Sequence, residues 1–323
     1  MAVPAPYDEW FGPQAFDATY GYDEAGLRRV GAPPEPAGFA EFWSDLYRAA
    51  MKVDPAASVR PVPGPPGLDV FDVEFTSLGD VRIGAWLVVP AGREVRTAVV
   101  VGHGYGGRSA IDLDFVPDGA AAIFPVARGL PTRSLVDGIP STGAEHVLHG
   151  IESASTYVHG GCAADIWCAA TVLLDALPTS VVRLGYVGGS FGGGIGALAL
   201  PWDERFTAGA LYVPSFGNHD LRLTMPCTGS GESVRRYVAA HPEAREVLRL
   251  FDAATAALRL RIPMLVAPAR WDGAVPPPGQ FAVHNAVAGP RETFVLSAGH
   301  ASYPGEEEEH DRLAAAVRDF LSR

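Results

Sequence analysis

The segment Leu184-Gly185-Tyr186-Val187-Gly188-Gly189-Ser190-Phe191-Gly192-Gly193-Gly194 constrains this chain more than any other. An apolar strand runs straight into Gly-x-Ser-x-Gly, and a small-residue helix follows over 195–200. A serine forced onto so sharp a strand-to-helix turn needs neighbours without bulky side chains two positions before and two after, and Gly188 and Gly192 stand there. Five of the seven residues over 188–194 are glycine, which gives an exposed serine room. The pattern is a nucleophile elbow with Ser190 at its tip.

The remainder of the chain supplies the sheet that such an elbow requires. Apolar runs predict strands over 70–75, 81–89, 97–102, 121–126, 182–187, 208–213, 263–267 and 292–296, with helices over 163–177 and 312–321. The run over 97–102 reads as a central strand buried on both faces. Strands alternating with helices predict an α/β protein: a mostly parallel central sheet with helices on both faces. Residues 1–65 are rich in Pro and aromatics and carry one amphipathic helix, Phe39 to Arg48, so they are expected to form an N-terminal extension packed on a core formed by 66–323. A more polar, helix-rich stretch over 218–260 interrupts the alternation and is a helical insertion expected near the ligand crevice, as a lid or as an ordinary crossover.

Composition sets the outer limits. Of 323 residues, 25 are basic and 37 acidic, a net charge of -12. Neutralising phosphates takes clustered Lys and Arg, so neither nucleic acid nor an anionic membrane is an expected partner. Cys162, Cys168 and Cys227 show no C-x-x-C spacing, so no disulfide framework, metal or cofactor is expected. The first ten residues lack a basic stretch followed by an apolar one, and nowhere do about 18 apolar residues run together, which predicts a cytoplasmic protein.

A hydroxyl is a weak nucleophile at neutral pH and needs a general base, itself oriented by a carboxylate. In chains with this elbow the order is Ser, then Asp or Glu, then His. His300 follows the last strand directly, whereas His284 lies in a helical pattern and His310 opens the terminal helix, so His300 is the candidate base. Asp272 stands on the loop after the strand over 263–267, 28 residues before His300, and is the candidate acid. An oxyanion would be met by backbone N–H groups, one from Phe191 and one from the loop His103-Gly104-Tyr105, where Tyr105 supplies the second. His103 is expected to hold that loop, and Arg128 to pair with an acid beneath the site.

With these motifs go Phe75-Thr76-Ser77-Leu78-Gly79-Asp80, Arg128-Gly129, His149-Gly150-Ile151, Thr156-Tyr157, Pro276-Pro277 and Gly299-His300. Together and in this order they resemble the acetyl xylan esterase and cephalosporin C deacetylase group, carbohydrate esterase family seven of the α/β-hydrolases. The resemblance implies an α/β-hydrolase fold, Ser190, Asp272 and His300 as a triad, the Tyr105 and Phe191 amides as oxyanion donors, and removal of acetyl groups from sugars or other small molecules without a metal. It also makes a homo-oligomer an expectation. The chain departs from the group where Phe191 and Leu130 replace glutamines, and where Ala301-Ser302 follow His300. Leu130 and Pro214 are the further positions expected to touch substrate. Two other readings are a peptidase of the prolyl oligopeptidase type, which shares the triad order, and a non-catalytic ligand-binding protein on a hydrolase scaffold.

Overall fold

A computed structural model describes residues 6–177 and 181–323; residues 1–5, part of the stretch read for a leader, lie outside it. Among the described residues, nine strands make one sheet: β1 (Ser58–Val62), β2 (Leu68–Ser77), β3 (Val81–Pro90), β4 (Thr97–Val101), β5 (Ala121–Pro125), β6 (Arg183–Gly189), β7 (Ala208–Tyr212), β8 (Met264–Ala267) and β9 (Arg291–Thr293). Their order is β1-β2-β3-β5-β4-β6-β7-β8-β9. The first three strands are an antiparallel meander joined antiparallel to β5, and everything from β5 to β9 is parallel.

The central strands are valine- and alanine-rich and buried on both faces, which is why they read as unbroken apolar runs. Alternate residues divide between two cores. Ala98, Val100, Ala121 and Ile123 face one, and Val99, Val101, Ala122 and Phe124 the other. The larger core is closed by α1 (Phe39–Ala50), α2 (Val158–Ala176) and α3 (Phe191–Ala199), together with α4 (Gly229–Ala240) of the insertion and α5 (Pro277–Ala286). The smaller is closed by α6 (Glu306–Ser322) through Leu313, Val317 and Leu321. Helix α2 is apolar nearly all round because it is buried nearly all round.

Three boundaries differ from those read in the sequence. Strand β1 lies within the 1–65 segment, so that segment is part of the sheet as well as a cover for it. Its residues are almost all exposed at the sheet edge and include Pro61, which left neither alternation nor a clean strand signal to read. Helix α6 starts at Glu306, six residues earlier than expected, because the run Glu306 to Glu309 forms its first turn, where the helix dipole favours negative charge. Helix α3 starts immediately after Ser190.

Trp43 on α1 is wholly buried, donates its indole N–H to Leu250 O at 2.7 Å and packs edge-on to Phe251 at 5.3 Å. The extension and the 218–260 insertion are thereby fixed to one another and to the core. Val234, Leu248, Phe251 and Ala253 of the insertion belong to the larger core, so it is packed as a wall.

Candidate active site

Ser190 caps α3 at φ 52° and ψ -119°, backbone angles that an L-residue adopts only under constraint from its surroundings. The constraint comes from three sides. Its N–H donates to Tyr212 O at 3.0 Å, its carbonyl accepts from Ser215 N at 3.1 Å, and Tyr186 donates its hydroxyl to Gly192 O at 2.7 Å beneath the turn. The glycines are required by contact. A methyl on Gly192 would stand 2.8 Å from His103 O, and one on Gly188 would stand 2.8 Å from the Gly192 carbonyl.

His300, on the loop beyond β9, brings Nε2 to 2.8 Å from Ser190 Oγ and donates through Nδ1 to Asp272 Oδ2 at 2.7 Å. Asp272 is fully buried. Its Oδ1 accepts from the amides of Ala274 and Val275 at 2.8 and 3.0 Å, and its Oδ2 also accepts from Gln280 Nε2 at 2.9 Å. Burial lowers the His300 pKa, but its hydrogen bond to Asp272 and that carboxylate's charge outweigh this and leave it above the ordinary 6.5. The loops carrying Asp272 and His300 are paired with each other past the sheet: Gly299 N donates to Trp271 O at 2.8 Å, and Asp272 bridges Gly299 in parallel. Gly299 has no room for a side chain, since a methyl there would lie 2.4 Å from Asp272 Oδ2. The extension covers these loops. Ala18 O accepts from Asp272 N, Tyr7 donates to Ser297 O at 2.9 Å, and Phe11 stacks on Trp271 at 3.8 Å.

Opposite His300 lies the loop after β4. A methyl on Gly104 would be 3.8 Å from Ser190 Cβ, so this loop borders the nucleophile. Among the described residues, the amides of Tyr105 and Phe191 donate to no other backbone group. His103 holds the loop, with Nδ1–H donating to Gly104 O at 2.7 Å and Nε2 accepting from Ala127 N at 3.0 Å. One nitrogen donates and the other accepts, so the ring is neutral, in keeping with a pKa pushed down to about 4 chiefly by burial. Arg128 and Asp165 form a buried bidentate pair, 2.7 Å at the shortest, beneath the site.

Leu130, expected to touch substrate, is fully buried, and its apolar side chain packs into the larger core. Pro214 is also buried; it packs under α3, where its Cα would be 3.0 Å from a methyl on Gly193. His284 bonds Thr293 Oγ1 at 2.7 Å and His310 pairs with Asp114, so neither approaches Ser190. Sequence reasoning missed Gln280, which ties Asp272 to Ala269 N and Val275 O. Its signal was faint: a lone amide on the helix after the acid's loop.

A serine on an elbow over a parallel sheet, with histidine and aspartate on later loops, defines a serine hydrolase of the α/β-hydrolase fold. Residues 28–314 match the acetyl xylan esterase (AXE1) family model. The chain belongs to that family, and is a carboxylic ester hydrolase. Among solved structures it is similar to the acetyl xylan esterase from Paenibacillus sp., at 22% identity and TM-score 0.79, covering 91% of this chain and 99% of that one. It is similar to acetyl xylan esterase 1 from Thermoanaerobacterium sp. at 20% and 0.77, covering 94% and 99%. The acylaminoacyl peptidase of Pyrococcus horikoshii shares the fold at 16% and 0.61, over 84% of this chain but 42% of that one. No helix among the described residues is long and apolar enough to cross a membrane.

Proposed function

We propose that Ser190, His300 and Asp272 carry out deacetylation of a small ester through an acyl-enzyme. Ser190 Oγ attacks the ester carbonyl while its proton passes to His300 Nε2. Asp272 holds the ring in the tautomer that accepts there and balances the imidazolium. Charge developing on the carbonyl oxygen is met by the amides of Tyr105 and Phe191. The ester C–O bond then breaks and the leaving alkoxide takes the proton from His300. Water attacks the acetyl-serine with His300 again as base, and acetic acid leaves with Ser190 restored. The observation that carries this reading is the continuous chain Asp272 Oδ2, His300 Nδ1, His300 Nε2, Ser190 Oγ at 2.7 and 2.8 Å.

The peptidase reading is not favoured, since the peptidase it resembles is more than twice the aligned length and the family matched is one of esterases. A non-catalytic role is not favoured either, because the triad is complete and connected. A cytoplasmic location forms part of the proposal, supported by three buried cysteines that are all unpaired. Hydrolysis of aryl acetate, butyrate and longer esters by the native chain and by Ser190→Ala tests the function. Acetate should be fastest and the variant inactive; a preference for long chains would remove the deacetylase reading.

A further inference from the structure

A cleft walled by Tyr157, Ser215, Phe216, His219, Arg222 and Val275 adjoins the residues that brace Ser190 and Asp272. Two of its walls are the braces of the triad: Ser215 N–H donates to the Ser190 carbonyl, and Val275 N–H donates to Asp272. On the loop after β7 that forms one side, Phe216 lines the cleft at φ 68°, and Val213 and Asn218 flank that stretch at 40° and 47°. Such positive angles persist where the surrounding structure enforces a particular backbone course.

Arg222 is the unusual group in this cleft. It is 5% exposed, and it has no carboxylate partner among the described residues. Its Nη1 donates to Gly231 O and its Nη2 to His219 Nδ1, both at 3.1 Å, while its Nε–H has no acceptor. The neighbouring acids are committed elsewhere. Glu232 binds Arg235 and Arg236, and Asp252 accepts from the His219 and Thr255 amides and the Thr255 hydroxyl. Cys227, beside the guanidinium, is held as the neutral thiol by burial. His219 and His159 are kept neutral by burial, with pKa values well below 6.5. Two further wall groups, the Tyr157 hydroxyl and His219 Nε2, are buried without hydrogen-bond partners. Asp252 attracts the guanidinium through space without bonding it, so a guanidinium sealed from water with no carboxylate in contact is expensive, and an anion arriving from outside reduces that expense.

We propose that the cleft receives a carboxylate on the substrate, bound by Arg222 Nε–H and the Tyr157 hydroxyl, so that this enzyme selects acidic esters over neutral ones. The inference rests on the esterase reading above.

Because the acyl half is acetyl, the carboxylate sits on the alcohol half of the ester, and paired acetates test this. An aryl acetate with a carboxylate on its ring is compared with its primary amide analogue, and an acetylated hydroxy acid with its amide. The native chain should prefer the carboxylate member of at least one pair by about tenfold or more in kcat/KM. Arg222→Met should abolish the preference, and Arg222→Lys should restore part of it. Equilibrium binding of the same compounds to the Ser190→Ala chain gives a readout independent of turnover. Discriminating binding without any turnover would sink the esterase reading and leave the cleft's role standing. Turnover of both members of each pair at equal rates, with equal binding, would overturn the carboxylate inference alone.

Discussion

Two groups of histidines surround Ser190, and they behave oppositely. His300 reaches the nucleophile from a loop with its side chain about a quarter exposed, and its pKa is raised. His103, His146, His159 and His219 lie behind the nucleophile, and burial lowers all of their pKa values, the first two to about 4. The difference is the carboxylate. His300 has Asp272 at 2.7 Å, whereas the buried rings bond carbonyls, amides, a tyrosine hydroxyl and Arg222. In the proposed mechanism the ring that serves as base is the one with an acid partner, and nearness to the serine alone produces a neutral packing group.

The contrast can be broken in four places. Ser190→Ala should lower kcat for aryl acetate by about 10⁵-fold or more, since the rest of the machinery then has no nucleophile to act on. Asp272→Asn should cost about 10⁴-fold by stabilising the wrong tautomer of His300. It should also move the inflection of the residual pH profile downward, because the partner that raised the pKa is gone. Gln280→Leu leaves the carboxylate but removes one of its donors, and is expected to cost about tenfold; no change would mean that Asp272 is positioned by its two backbone amides alone. Smallest is the effect on pH dependence of removing a packing histidine. His300 must be neutral to accept a proton, so activity rises with pH through an inflection above 6.5. His159→Phe should leave that inflection in place while altering the rate. If it moved the inflection, the division between the two groups of histidines would fail.

Much of this was legible in the sequence because it depended on local grammar. The elbow needs glycines at fixed offsets, His300 follows the last strand, and Asp272 sits on the loop after the strand before it, so the sequence placed together the residues the structure brings together. Those features survive in a string of letters. What was not legible depended on distance in space. Leu130 looked like a site residue because it follows Arg128-Gly129, yet the turn delivers it to the core. Gln280 and Arg222 acquire their meaning from neighbours that the fold brings in, Asp272 for one and Tyr157 with His219 for the other. Strand β1 was hidden because an edge strand with every residue partly wet carries no alternation. The N-terminal segment was expected to dock on the core, and it also lies over the loops that hold Asp272 and His300, through Tyr7, Phe11 and Ala18.

The central claim is that Ser190 alone becomes acylated, with His300 as its base. Rapid quenching of the native chain during turnover of an aryl acetate, followed by peptide mass spectrometry, tests it directly. The account predicts one acetyl group, on the peptide containing Ser190, absent from Ser190→Ala and accumulating when His300 is replaced only at a greatly reduced rate. An acetyl group on another residue, or steady turnover with no covalent acetyl-enzyme and undiminished in Ser190→Ala, would contradict it.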